Sequence, residues 1–354
     1  MSVQPSSPRR VVLHVGLPKT GTTHIQATLG RHREVLAARG VSYPRLGPEA
    51  MFRGAVEIRG SHEVFGLSAG DVAGRWQRLC DHARGFDGTT VISHEILSGA
   101  DEDQIARALA PLSGIDVDVV ITSRDLGRLL AAYWQERVKL GEPWTFEQLV
   151  REQIDPELAG ERPEPRAMFW HAYDLAETVR RWAAAVGADH VRVVTAPRVA
   201  GEGLWQRFVV AAELSAAAAA LPAAPQDDGA NQSLGRTQVA LLRELDAALG
   251  DRLDRRTRAL VVKRWFAEQV LPGLGTREVA RAPARLRQPF EALTRAWLAD
   301  LKAGGIAVIG EPTDLDPVCA EAADPHPDDV ELTELLALAR EALAEVTRRP
   351  PPAP

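Results

Sequence analysis

The chain of 354 residues has two cysteines, Cys80 and Cys319, far apart in sequence. That excludes a disulfide framework and a cysteine-based metal site, and a reducing compartment is the simpler setting. There is no long apolar run. Val11 to Val15 is too short for a signal-peptide core or a membrane span, so a soluble, cytoplasmic protein is expected. Positive charge is not in excess either. Lys and Arg total 42 against 48 Asp and Glu, a formal net charge of −6, where a duplex-binding protein carries a basic surplus. Nucleic acid is therefore not an expected partner. The histidines form no close metal-ligand pattern, and no metal site is expected.

What is present is ordinary globular composition, 45% hydrophobic and 25% charged, enough for a sizeable core. Arg9 to Val15 reads as a short buried strand rich in β-branched residues, ending at Gly16. From Thr22 the pattern turns helical, with Ile25, Leu29 and Leu36 at helical spacing and Gly40 as a stop. Strands are expected again at 89–93, 117–122 and 190–195, with a last short one at 306–309. Helices are expected near 71–85, 103–112, 126–140 and 167–186. Such alternation predicts an α/β fold, a P-loop-type three-layer sandwich on a parallel sheet of four to five strands. Beyond about 200 the pattern is mostly helical. The expected organisation is a loose N-terminus (1–8), one α/β domain (9–312), a linker and C-terminal helix (313–347) and a disordered tail (348–354).

The first strand leads into Gly16-Leu17-Pro18-Lys19-Thr20-Gly21-Thr22-Thr23. Glycine opens this loop, and glycine stands just before the helix. Backbone N–H groups at a helix N-terminus point outward with partial positive charge, so such a turn cradles a phosphate. Thr22 and Thr23 offer hydroxyls to it. The glycines have the spacing of a Walker loop, but that loop carries its lysine after the second glycine. Here Thr22 stands in that place and the lysine is inside the loop, at Lys19. A cation there suits direct neutralisation of an oxygen near the phosphate, without a metal.

Pro18-Lys19-Thr20-Gly21-Thr22-Thr23 resembles the 5′-phosphosulfate loop of PAPS-dependent sulfotransferases, typically P-K-[ST]-G-T-[ST]. The stretch through Tyr133-Trp134-Gln135-Glu136 looks like the actinobacterial sulfotransferase-like group. The resemblance implies a donor, PAPS, held by Pro18, Lys19, Thr20, Gly21, Thr22 and Thr23. It also implies an arginine after a later strand, on the donor's 3′-phosphate. Arg124 is in that place, with Ser123 before it and Arg128 four residues on, on one helix face. The family's proline after this arginine is missing, and Ala131-Ala132 stand where a serine is usual, which leaves either Ser123 or the Arg124 and Arg128 pair to hold the 3′-phosphate. Asn231 and Ser233 are further candidates for the ribose or 3′-phosphate, with an N-cap the plainer role for Ser233.

Sulfuryl transfer to a hydroxyl or amine needs a group to take the acceptor's proton. The second predicted strand ends in His94-Glu95, at the edge where parallel sheets bind ligands. The family uses a His in some members and a Glu in others at such a place, and this chain has both. The catalytic candidates are thus Lys19, His94 and Glu95. The acceptor is a small molecule, carbohydrate or lipid. Aromatics cluster at Tyr133, Trp134, Trp144, Phe146, Phe169, Trp170 and Tyr173, and core packing is their plainer role. His14, inside the first strand, reads as packed. Two rivals stand beside this reading: a P-loop kinase using ATP and Mg²⁺, and a non-catalytic nucleotide-binding protein of the same fold.

Overall fold

The structure, a computed structural model, describes residues 9–161, 167–198, 203–225, 233–275, 278–349 and 351. The expected loose N-terminus, 1–8, and residues 350 and 352–354 of the expected tail lie outside the described residues. The chain divides into two compact units: 1–125, 171–226 and 292–316 form the first, and 126–170, 227–291 and 317–354 the second.

The first unit carries a sheet of six strands in the order β2-β3-β1-β4-β5-β6. They are β1 (Arg10–His14), β2 (Val41–Ser42), β3 (Thr89–Ser93), β4 (Asp116–Ser123), β5 (Val191–Thr195) and β6 (Ala307–Ile309). Every pairing is parallel. The chain leaves β1 on one side to make β2 and β3, then crosses to the other side for β4, β5 and β6. This is a doubly wound sheet whose direction changes around β1, and ligands bind at such a point beyond the carboxyl ends of the strands. The sequence led to four or five strands. The additional one is β2, two residues long and too short to show any period.

Both faces are covered, as the continuous apolar runs of the central strands require. Val12, Val91, Val120 and Val194 pack in one cluster with Ile25 and Leu29 of helix α1 (Thr22–Arg31) and with Trp205 and Phe208 of the helix Leu204–Ala211. Successive side chains in a strand point to opposite faces, so Leu13, Ile92, Val119 and Val193, also fully buried, lie on the other. There the helix Arg75–Gly85 contacts β3 and the helix Leu175–Val186 contacts β4.

Two long expected helices are broken in the structure. The predicted segment 22–40 divides at His32. The segment 167–186 divides at Asp174, whose carboxylate accepts the N–H of Glu177 and restarts the helix.

The second unit is helical. The helix Arg236–Leu249 contacts both Leu126–Lys139 and Leu332–Arg348. The Gln135 amide holds Leu234 by two reciprocal bonds of 3.1 Å. Asp328 caps the turn at Phe146 and Glu147, accepting both N–H groups. Tyr133, Trp134, Phe146, Phe169 and Trp170 are buried here, in edge-to-face contacts such as Trp134 on Phe146, so the core role of these aromatics holds. No described helix is long and apolar enough to cross a membrane.

Candidate active site at the carboxyl edge of the sheet

Three central strands, β3, β1 and β4, end side by side, and each runs into residues singled out from the sequence. β1 leads to the loop 16–23, β3 to His94 and Glu95, and β4 to Ser123 and Arg124. The backbone of the edge is continuous: Val15 N–H donates to Val120 O (3.0 Å), Leu17 N–H to Thr122 O (2.8 Å), and His94 N–H to His14 O (3.0 Å).

The loop closes tightly. A Cβ on Gly16 would stand 2.3 Å from Thr122 Oγ1, so only glycine fits. Lys19 takes the left-handed conformation, φ 64°, which costs a residue with a Cβ about 1 kcal/mol or more. Its carbonyl accepts a bond of 3.1 Å from Arg124 Nη1. Gly21, φ 95°, is the N-cap residue of α1, which has no side-chain cap and no acidic residue in its first turn. The first turn of the helix thus supplies no neutralising group of its own. Thr22 is buried and Thr23 exposed.

Thr20 does something other than offer its hydroxyl outward. The group is buried, 1% exposed, and donates to Leu17 O at 2.6 Å. A hydroxyl has one proton, so at 2.6 Å Thr122 Oγ1 must donate to Thr20 Oγ1. The Thr122 proton is then used, and His14 Nε2–H donates to Thr122 Oγ1 (3.3 Å). His14 Nδ1 accepts from Ser93 Oγ–H (2.8 Å). This direction requires a neutral His14. Burial pushes its pKa down to about 4, with Glu95 opposing and His94 assisting. A buried polar chain therefore runs from β3 under the loop to β4, and it gives His14 a place that simple packing does not describe. Thr20 belongs to the scaffold of the loop.

At the other end of this chain lies the candidate base. Gln26 of α1 shares its amide donor among Ser93 O (3.2 Å), Ser93 Oγ (3.3 Å) and Glu95 Oε2 (3.5 Å). His94 Nδ1 accepts the N–H of Ile96 at 3.3 Å, which leaves the proton of the neutral ring on Nε2. Burial holds the His94 pKa below the ordinary imidazole value, against the pull of Glu95. For Glu95, burial pushes the carboxyl upward. His94, a backbone N–H, His14 and Lys19 outweigh that push, and its value lies below the ordinary carboxylate range. The Lys19 charge is the least of these influences on Glu95.

Helix Leu126–Lys139 begins after Arg124, so Arg124 and Arg128 do not share a helix face. Arg124 is instead in the turn that precedes it. Arg128 and Ser233 belong to the second unit. The N-cap of Arg236–Leu249 is Gly235, and Ser233 is exposed before it. Asn231 lies outside the described residues. The Ser123 hydroxyl is fully buried with no hydrogen-bond partner among the described residues. Among the described residues, no group of three or more His, Cys, Asp or Glu is placed to hold a metal ion.

Sequence reasoning passed over the residues that follow β2. Tyr43, Pro44, Arg45, Glu49 and Phe52 line a cavity of about 260 Å³ together with Arg33, Gln26 and His94. The signal for them was a Tyr-Pro-Arg run, which gained meaning only with the strand before it.

The chain matches no model of a known protein family, and no curated protein matches it. Among solved structures it is similar to the sulfotransferase from Alicyclobacillus acidocaldarius, with a TM-score of 0.39 and 15% identity, covering 70% of this chain and 94% of that one. A likeness of that degree carries no conclusion about activity, which rests on the residues themselves.

Proposed function

We propose that this chain is a sulfotransferase, moving a sulfuryl group from PAPS to a hydroxyl or amine of a small-molecule, carbohydrate or lipid acceptor and releasing PAP. One observation carries the reading: the glycine-flanked loop with Lys19 opens α1, whose first turn has no acidic residue and no side-chain cap, and the strand paired beside β1 ends in His94 and Glu95. A cation and a base candidate thus share one anion-ready edge. The donor fits that edge, since the helix end has no acidic residue of its own and the loop amides supply donors where a metal would otherwise be needed.

In this reading the acceptor oxygen attacks sulfur, forming the O–S bond as the bond from sulfur to the phosphate oxygen breaks. Negative charge grows on that leaving oxygen, where Lys19 and the α1 N-terminus meet it with little reorganisation. Glu95 takes the acceptor proton, because it is ionised while His94 has its Nδ1 lone pair occupied by Ile96 N–H. His94 orients the acceptor through Nε2–H. Donor binding makes the base stronger. The donor's negative charge offsets Lys19, one of the charges that hold Glu95 down, while burial keeps pushing its pKa upward.

Calorimetric titration with PAP and with ATP·Mg²⁺, each with and without EDTA, tests the reading. Tight PAP binding indifferent to EDTA is expected. Tight metal-dependent ATP binding in its place would assign a kinase. Transfer from radiolabelled PAPS to a pooled acceptor set separates a catalyst from a protein that only binds the nucleotide.

A further inference from the structure

The cavity beside His94 has a charge that its own walls do not satisfy. Arg33 donates through Nε to Tyr43 O (2.8 Å) and through Nη1 to Gly30 O (3.4 Å). Its other Nη has no acceptor among the described residues. Arg45 is exposed and has no ion-pair partner among them. The one carboxylate on the rim, Glu49, pairs with Arg53 (3.6 Å). Glu49 also holds a left-handed backbone, φ 54°, the kind of strain that gathers at functional sites. The remaining walls include two aromatic rings, Tyr43 and Phe52. Tyr43 lies under the Arg33 guanidinium, 5.5 Å from ring centre to cation. The Phe52 ring centre is 5.5 Å from that of His94. At about 260 Å³ the space is below the ~300–1,000 Å³ of drug-sized pockets, room for one ring and its substituents.

We propose that this cavity seats the acceptor, and that the acceptor is a single-ring hydroxy acid: a ring held against Tyr43 and Phe52, an anionic group on Arg33 and Arg45, and its hydroxyl directed at Glu95 and His94. The proposal rests on the sulfotransferase reading and names the substrate class for that site. A fork of guanidinium donors fits a carboxylate in two parallel bonds, and a cationic rim in a cleft raises the local concentration of anions. Gln26 lines the same cavity and bonds to Glu95, so a molecule seated there lies beside the group that takes the proton. Two ring chemistries supply such an acid, a hexuronide and a hydroxybenzoate.

The test uses the full chain saturated with PAP, and then with PAPS. Matched probes are methyl glucuronide against methyl glucoside, and 4-hydroxybenzoate against 4-methylphenol. In at least one pair the acid is expected to bind the PAP complex at least tenfold more tightly than its neutral partner, and with PAPS to show the same preference in kcat/KM. The pair that shows it identifies the ring. Arg45→Gln should remove most of that preference through KM, Arg45→Glu should reverse it, and PAP affinity should stay unchanged in both. Equal handling of acid and neutral partner, no binding of either acid, or a preference untouched by Arg45→Glu each overturns the proposal while PAP binding and transfer to another acceptor keep the sulfotransferase reading. Absence of PAP binding in the unaltered chain removes both.

Discussion

The two edges of one sheet treat charge in opposite ways. At the amino edge of β1, β4 and β5, Asp118 is bonded to Arg10, to Arg192 (3.0 Å) and to His190 (3.1 Å), and Glu213 bonds Arg192 and lies 3.5 Å from Arg10. Burial opposes ionisation of Asp118, and the two arginines and His190 hold its pKa below the ordinary value. The carboxyl end of β5 is closed in the same manner, with Thr195 and Arg207 both on Asp314. The carboxyl ends of β3, β1 and β4 differ. There the strands run into a strained loop, an uncapped helix end and a carboxylate held ionised by His94, a backbone N–H, His14 and Lys19. A closed cluster supports the fold, whereas an edge whose positive ends look outward is ready for an anionic ligand.

The largest effect expected from this contrast is at Lys19. Lys19→Ala should lower kcat by about 10²–10³, or ~3–4 kcal/mol in the barrier, with the midpoint of thermal unfolding nearly unchanged, because removing a left-handed side-chain cation takes nothing from the core. Asp118→Asn should do the reverse. It leaves the Arg10 and Arg192 guanidinium groups with only the more exposed Glu213 between them, at a cost of about 3 kcal/mol in urea unfolding, while kcat/KM per folded molecule stays within about twofold. If Asp118→Asn abolished turnover in folded protein, the division between a structural and a reactive edge would fail.

A second contrast concerns the free and donor-bound site. Glu95 is held down partly by Lys19, so the acidic limb of the pH–rate profile should shift upward when PAPS saturates the enzyme, and Glu95→Gln should remove that limb with a rate loss of about 10²–10⁴. His94→Asn should act mainly on KM. A limb that stays in place in Glu95→Gln and disappears in His94→Asn would transfer the base to His94.

Much of this edge was legible beforehand, because its signals are local. A β-branched run, two glycines five residues apart and a helix start announce the loop, and His94-Glu95 sit directly after an apolar run. What was missed depends on contacts between distant segments. β2 exists because Val41 and Ser42 pair with Thr89 and Thr90, and without that strand Tyr43 and Arg45 read as an ordinary loop. The bond from Arg124 to Lys19 O spans 105 positions, so no local pattern announces that Arg124 braces the loop. The break at Asp174 is a capping signal inside an otherwise helical pattern, where periodicity outvoted one side chain.

His14 is packed as expected, but its bonds were hidden from the sequence, because Ser93 and Thr122 lie 79 and 108 positions away. Its neutral state yields the smallest of the expected effects, and a clean one. The folded value is about 4 and the unfolded value 6.5, so between the two the unfolded chain binds a proton that the folded chain does not. The stabilisation is therefore fully present above pH 6.5 and is lost as pH falls toward 4. From pH 7 to pH 5 the loss is about 2 kcal/mol. His24, His82 and His94 are also held low by burial and add to the slope, so the comparison needs His14→Gln, whose amide keeps a donor and an acceptor but does not titrate. Urea unfolding of both proteins at pH 7 and pH 5 should show the gap between them narrowing by about 2 kcal/mol at the lower pH. Asp118, depressed below the carboxylate range, stays charged throughout that window and contributes nothing to the change. A gap that stays constant would mean that His14 takes up its proton in the folded protein over the same range as in the unfolded chain. Its Nδ1–H would then donate to Ser93 Oγ at the lower pH, while the bonds from Nε2–H through Thr122 to Thr20 and Leu17 keep their direction.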